Sequence, residues 1–293
     1  IMGASGSEAL SNAASVFVGQ VEAQLLIRPY VKGMTMSELL ASMSGSMACV
    51  SGGVMAVYIG LGIKASYLLT ASIMAAPGAL VISKIVFPET EESETKGEVK
   101  IEVKKTNVNV IDAAAHGASD GLRIGLNVVA MLIAFIALIA LGDVCIGLLG
   151  KWFFSLGARL DAIGLDLSHL KLHDIFGLMF QPIAFLLGVP WADAKNVGML
   201  MGEKIVINEF VAYSQLSKIL KGTTDIVLSP KAEIIATFAL CGFANFSSVV
   251  MQIGGIGEIA PSRREDLAKL GIKALICGTM ASYLSATLAG LLL

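Results

Sequence analysis

Two glutamates lie in the middle of apolar stretches, Glu22 in FVGQVEAQLLIRPY and Glu209 in KIVINEFVAYSQL. A carboxylate at the centre of a bilayer costs roughly 2.5–3.5 kcal/mol even on insertion scales, so such a residue usually has a function. Each stretch is too short or too interrupted to cross a bilayer as one helix, which needs about 20 apolar residues. Short broken segments at matching places in two halves of a chain are typical of a transporter's substrate site.

Polar residues interrupt the apolar segments at four places, which are residues 19–22, 44–53, 208–210 and 243–248. Irregular backbone at membrane depth persists only where protein or a water-filled cavity satisfies it, so we expect these interruptions to meet. Amides such as those of Gln20 and Asn245 suit the edge of a heterocycle, and paired carboxylates suit vicinal hydroxyls. The four interruptions hold no arginine or lysine, which favours a neutral, hydroxyl-rich, partly aromatic ligand over an anion.

The composition predicts an integral membrane protein. The 293 residues are 55% hydrophobic and 15% charged, with a mean hydropathy of +0.77. Soluble domains carry about 25% charged residues. The net charge of −2 gives no basic field for nucleic acid. The four cysteines are scattered singly, without the spacing of a metal site.

The hydropathy pattern predicts an all-α membrane fold in which one order of elements occurs twice. That order is a re-entrant helical hairpin, an interrupted transmembrane helix and a continuous transmembrane helix, on either side of a long scaffold helix. An odd number of intervening crossings would make the repeat inverted, as in many transporters. The predicted segments are the first hairpin (1–34), interrupted and continuous helices (35–87), a polar linker and interfacial helix (88–124), the scaffold helix and a second interfacial helix (125–191), the second hairpin (192–222), and the interrupted and last helices (223–293).

At these same residues the sequence resembles the concentrative nucleoside transporters, a family of cation-coupled nucleoside symporters. GQVEAQLLIRPY resembles the family's first hairpin tip, NEFVAY its second hairpin and CGFANFSS its unwound helix. The resemblance implies a homotrimer in the cytoplasmic membrane that imports nucleosides by an elevator-type movement, without a cofactor. The family's additional N-terminal helices have no counterpart here, and the opening IMGASGSEALSNAAS also suggests a fragment.

The resemblance assigns one set of residues to the nucleobase. Gln20 and Glu22 would contact the base, with Val21 beside it and Val54 as an apolar wall. Val21 replaces the family's usual threonine and Gln24 its usual proline. The first change removes a hydroxyl next to the base, so the choice between purines and pyrimidines stays open.

A second set of residues is assigned to the sugar. Glu209, Asn245 and Ser248 would hold the ribose hydroxyls, and Phe243 would pack against the sugar and base. Simpler interpretations stay open from the residues alone. A shift of one residue at the hairpin tip would expose Glu209 to water, and Ser248 could bond back to a helix carbonyl, as serine often does.

The coupling ion is either H+ or Na+. By position, a sodium site would use Ser15 and Cys49 with the backbone carbonyls of Val18 and Val50. Sodium-coupled members offer an asparagine and a hydroxyl at the two side-chain positions, whereas a thiol is a poor ligand for a hard cation. These changes slightly favour proton coupling, with one of the two tip glutamates as the carrier, because burial favours the neutral form of a carboxyl group.

Three other functions compete with a nucleoside symporter. A non-transporting membrane protein with a nucleoside-recognition gate domain is the main alternative, but it should lack one acidic tip. A membrane enzyme would need a nucleophile–base pair or a metal cluster, and the sequence shows neither. A symporter for another polar solute is disfavoured by the amide of Gln20, which suits a base.

Overall fold

The computed structural model describes residues 4–96, 108–155, 167 and 170–292 of the chain. The regular elements within these residues are helices, which confirms the all-α fold class. The chain divides into two compact units, one made of Ile1–Ile101 with Phe176–Leu293 and the other of Glu102–Ile175. The sequence-predicted site residues all belong to the first unit.

The N-terminal part of the first unit contains two short helices, a helix in two pieces and a long helix. They are α1 (Gly6–Ser15), α2 (Glu22–Leu26), α3 (Met36–Ala48), α4 (Gly52–Gly60) and α5 (Ala65–Val86). Helix α3 begins with a capping box, in which Thr35 and Glu38 satisfy each other's backbone N–H groups. The segments predicted as a hairpin and an interrupted helix are therefore helical, with breaks at residues 16–21 and 49–51.

The second unit consists mainly of α6 (Val110–Ser155), a single helix of 46 residues. The sequence predicts that an interfacial helix ends at residue 124 and that a separate scaffold helix begins at residue 125. The structure joins them, because a change from polar to apolar side chains does not interrupt backbone hydrogen bonding. Helix α7 (Leu172–Leu186) starts in this unit and ends in the first, with Pro182 inside it.

The C-terminal part of the first unit follows the same order as the N-terminal part. It contains α8 (Trp191–Val206), α9 (Glu209–Leu220), α10 (Pro230–Leu240), α11 (Phe246–Ile259), a 3-10 turn (Pro261–Arg263) and α12 (Arg264–Leu291). The inverted relation between the two halves stays a prediction. Helix α12 packs against α3, α5, α10 and α11, so it holds both interrupted helices together.

Three segments of the described chain are long and apolar enough to span a membrane, namely Met36–Gly60, Ala65–Val86 and Pro261–Leu291. A fourth is possible if α7 and α8, which are bent by 118° at their junction, form one broken span. The first of the three contains the break between α3 and α4. Irregular backbone at that depth must be satisfied by neighbouring protein.

The two helix breaks pass close to each other. Gly242 has φ of +113°, and a Cβ added there would lie 2.5 Å from the carbonyl oxygen of Ala48. Ser72 of α5 contacts the cysteines at both breaks. Its carbonyl accepts from Cys49 Sγ at 3.5 Å and its Oγ lies 3.4 Å from Cys241 Sγ. Only glycine permits both this approach and this φ angle.

Candidate substrate site

The second hairpin places a carboxylate at the start of a helix. Asn208 caps α9, its side-chain oxygen accepting from the N–H of Val211 at 2.9 Å. Glu209 is therefore the first residue of the helix, where the positive end of the helix dipole favours a negative charge. Its side chain is 7% exposed. The hairpin tip is therefore not shifted by the one residue that would expose Glu209 to water.

The carboxylate of Glu209 connects the two halves of the unit. Tyr58 in α4 donates its hydroxyl to Oε1 at 3.1 Å, and Asn245 donates its Nδ2 to Oε2 at 2.9 Å. Each oxygen thus accepts a hydrogen bond from a side chain of the protein. A carboxylate has about four lone-pair sites, so each oxygen retains the capacity to accept from a ligand hydroxyl.

Asn245 extends this connection toward the first hairpin. It caps α11, and its Oδ1 accepts from the backbone N–H of Ser248 at 2.8 Å and from Ser247 Oγ at 2.7 Å. Ser248 Oγ in turn accepts from Gln20 Nε2 at 3.2 Å. Tyr58, Glu209, Asn245, Ser248 and Gln20 therefore form one series of linked polar groups, which we call the polar relay.

Four of the eight sequence-predicted substrate residues are members of the polar relay, and the other four are not hydrogen-bonded into it. Glu22 is exposed, and its carboxylate folds back so that a Cβ at Gly19 would lie 2.1 Å from Oε2. Val21 packs on α11, where a Cβ at Gly255 would lie 2.6 Å from its Cγ1. Val54 and Phe243 are partly buried against the hydrophobic core that contains Tyr58.

Sequence reasoning missed two polar residues next to the site, Tyr58 and Gln252. Tyr58 is fully buried, with its ring centroid 4.4 Å from that of Tyr213. Gln252 donates its Nε2 to the carbonyl of Met43 at 3.2 Å and lies 3.5 Å from Gln20 Oε1. Helix periodicity could have identified both. Tyr58 follows Val54 by four positions and Gln252 follows Ser248 by four positions, so each lies on the same helix face as a predicted site residue.

The side chains at the candidate sodium positions already bond within the protein. Ser15 Oγ donates to the carbonyl of Ser11 at 2.7 Å, and Cys49 Sγ donates to that of Ser72. Val18 is 36% exposed and Val50 is fully buried. Within the described part of the chain, no group of three or more His, Cys, Asp or Glu residues could hold a metal ion.

The first hairpin tip nevertheless touches the break of the first interrupted helix. The carbonyl of Phe17 accepts from the N–H of Gly52, the first residue of α4, at 3.0 Å. This contact places the start of the first hairpin tip beside the break before α4.

Comparison with known proteins identifies the chain. Residues 67–290 match the family model described as "Na+ dependent nucleoside transporter C-terminus". The chain is 43% identical to nucleoside permease NupC of Helicobacter pylori, covering 99% of this chain and 66% of that protein. It is 41% identical to sodium/nucleoside cotransporter 2 of Rattus norvegicus, covering 99% of this chain and 44% of that protein.

A solved structure shares the fold. The structure of CNTnw in an inward-facing substrate-bound state has a TM-score of 0.89 and 46% identity, covering 99% of this chain and 65% of that one. The chain thus spans about two thirds of NupC and of CNTnw and less than half of the rat protein. The resemblance seen in the three sequence motifs is confirmed. The chain is a membrane-embedded, non-enzymatic member of the Na+ dependent nucleoside transporter family and comprises the C-terminal region of that family.

Proposed function

We propose that this chain binds a nucleoside and carries it across the cell membrane in symport with a cation. The polar relay is the observation that supports this most strongly. It joins α4 and the first hairpin tip to the second hairpin tip and the second helix break. A ligand bound there would contact both halves of the unit, as alternating access between two repeats requires.

The chemistry of the polar relay matches the two ends of a nucleoside. The carboxylate of Glu209 accepts hydrogen bonds from ribose hydroxyls, and Asn245 offers an amide beside it. Gln20 presents donor and acceptor groups to the base at the other end. Val54 and Phe243, which are partly buried, provide apolar surface for the sugar and base.

Binding measurements with modified sugars test this assignment. The purified protein is expected to bind uridine at least tenfold more tightly than 2′,3′-dideoxyuridine in calorimetric titrations. The reason is that loss of the hydroxyls leaves buried polar groups of the site without partners, at a cost of about 1–3 kcal/mol each. Equal affinities for the two compounds would show that the polar relay does not hold the ribose.

Tyr58 is expected to matter through its hydroxyl. Tyr58→Phe retains the ring and its packing on Tyr213 but removes the donor to Glu209 Oε1. Loss of a hydrogen bond to a charged acceptor costs about 1.5–3 kcal/mol, so the affinity for uridine should fall about tenfold or more. Tyr67→Phe, on α5, is the matched control and should bind uridine like the parent protein. An unchanged affinity in Tyr58→Phe would place Tyr58 outside the site.

We propose coupling to protons, with sodium as the competing possibility. Cys49 offers a thiol where a hard cation prefers oxygen, which supports the absence of a strong sodium site. One of the two tip glutamates, Glu22 or Glu209, would then carry the proton. The names of the family and of the rat relative refer to sodium, and they argue for the alternative.

Restoring oxygen ligands tests the choice of ion. The double variant Ser15→Asn, Cys49→Ser is expected to bind uridine more tightly in sodium than in choline, because sodium prefers oxygen ligands. The parent protein should bind uridine equally in both salts. Sodium dependence of the parent at constant pH would contradict proton coupling.

We further propose that the full-length protein is a homotrimer and moves its transport unit as an elevator. CNTnw, which shares this fold, has structures in inward-facing and outward-facing states. For a homotrimer, light scattering of the detergent-solubilised protein should give three times the mass of the protomer. A monomeric mass would contradict the trimer.

A further inference from the structure

A fully buried lysine lies behind the second helix break. Lys204 in α8 is 0% exposed, and its Nζ donates to the carbonyls of Ala239 at 2.9 Å and Cys241 at 3.2 Å. Ala239 belongs to the last turn of α10, and Cys241 is its C-cap. A buried charge is costly unless it is paired and hydrogen-bonded, so a lysine at this depth needs a reason beyond packing.

The end of α10 has the properties of a cation site. The last carbonyls of a helix lack partners within the helix, and the helix dipole makes that end partially negative. Carbonyl oxygens are also the ligands that hard cations prefer. The ammonium of Lys204 therefore lies where the backbone of the break would otherwise attract an ion or water. Ser282 Oγ completes the arrangement by donating to the carbonyl of Cys241 at 2.6 Å.

The position of Lys204 corresponds to that of the candidate ion site in the first half. That site combines the end of the first hairpin arm, at Ser15, with the break after α3, at Cys49 and Val50. Lys204 lies on the first arm of the second hairpin and reaches the break after α10. In the second half, the corresponding pair of elements is therefore bridged by a covalently attached cation.

We propose that Lys204 is a tethered cation that occupies, in the second half of the chain, the place that corresponds to the candidate ion site in the first. It holds the break at residues 241–245 in shape without any bound ion. Asn245 and Glu209 then keep the geometry of the polar relay whether or not the coupling ion is present. Lys204 is a positioning residue, and its effect on the nucleoside rests on the proposed transport function.

The proposal is tested by removing the Lys204 side chain and then supplying a free ammonium ion in solution. In choline chloride, the full-length Lys204→Ala protein should unfold at a lower temperature than the parent, measured without nucleoside. Ammonium chloride at the same concentration should recover part of this loss, because the ammonium ion can donate to the two vacated carbonyls. The affinity of the variant for uridine should fall roughly tenfold to a hundredfold in choline and rise again in ammonium.

Matched variants separate the charge of Lys204 from its packing. Lys218→Ala removes an exposed lysine from α9 of the same hairpin and should behave like the parent in both salts. Lys204→Arg should retain more affinity for uridine than Lys204→Gln, since only arginine keeps the charge. If Lys204→Ala is not recovered folded, the same measurements are made on Lys204→Gln.

Two results would overturn the proposal. One is parent-like unfolding and uridine affinity in the alanine or glutamine variant in choline. The other is a loss that neither ammonium nor arginine repairs, which would show a packing role alone. If the parent itself binds no uridine, the transport function fails, and the effect of ammonium on the unfolding temperature still decides the role of Lys204.

Discussion

Glu209→Gln is expected to reduce nucleoside uptake by a factor of about a hundred or more. Both carboxylate oxygens accept from the protein, one from Tyr58 and the other from Asn245. An amide has one acceptor oxygen, so its NH2 group must face one of these two donors. Hydrogen bonds to charged groups contribute about 1.5–3 kcal/mol each, and the ribose hydroxyls lose their charged acceptor as well.

The control for this variant is Glu258→Gln, which removes an exposed carboxylate from α11. It should transport like the parent protein. Both variants should be recovered at parental levels with the parental oligomeric mass, because neither change adds volume. Normal uptake by Glu209→Gln would remove Glu209 from the substrate site and would leave the polar relay without its central member.

Gly242→Ala is expected to have the largest effect on stability. A Cβ at this position would lie 2.5 Å from the carbonyl oxygen of Ala48, and the φ angle of +113° disfavours any side chain. The unfavourable backbone conformation alone costs about 1–3 kcal/mol. The close backbone contact adds to this cost because the two breaks cannot separate without disturbing α12, which packs on both interrupted helices.

Gly254→Ala is the matched control for this substitution. Gly254 lies in α11, and a Cβ there would meet no atom within 4 Å. Alanine is preferred over glycine in a helix by roughly 0.5–1 kcal/mol, so this variant should be as stable as the parent or more stable. The measurement is the unfolding temperature and the folded fraction of detergent-solubilised protein. Equal values for the two variants would contradict the close crossing of the helix breaks.

The order of the helices could be predicted from the sequence because polar interruptions and cap residues mark their ends. Asn208 and Asn245 each precede a helix and cap it, and glycine and serine mark the break before α4. The extent of α6 could not be predicted in this way. Its backbone hydrogen bonds continue across residue 124, where only the side-chain polarity changes.

Members of the polar relay that interrupt an apolar segment could be predicted from the sequence. A member whose role follows only from its contacts in the fold could not. Gln20, Glu209 and Asn245 interrupt apolar segments and therefore stand out. Tyr58 lies within an apolar helix, and its partner Glu209 is 151 residues away in sequence. Lys204 could not be predicted from the sequence for the same reason. Its partners are the carbonyls of Ala239 and Cys241, which come close to it only in the folded chain.

Uptake of labelled uridine by proteoliposomes, which contain the full-length protein, tests the central claim most directly. The vesicles are loaded so that an inward proton gradient or an inward sodium gradient is imposed separately, with protein-free vesicles as the blank. We expect saturable uptake that the proton gradient drives and that unlabelled adenosine or uridine inhibits. Folded, inserted protein that gives no uptake under either gradient would contradict the assignment of this chain to nucleoside symport.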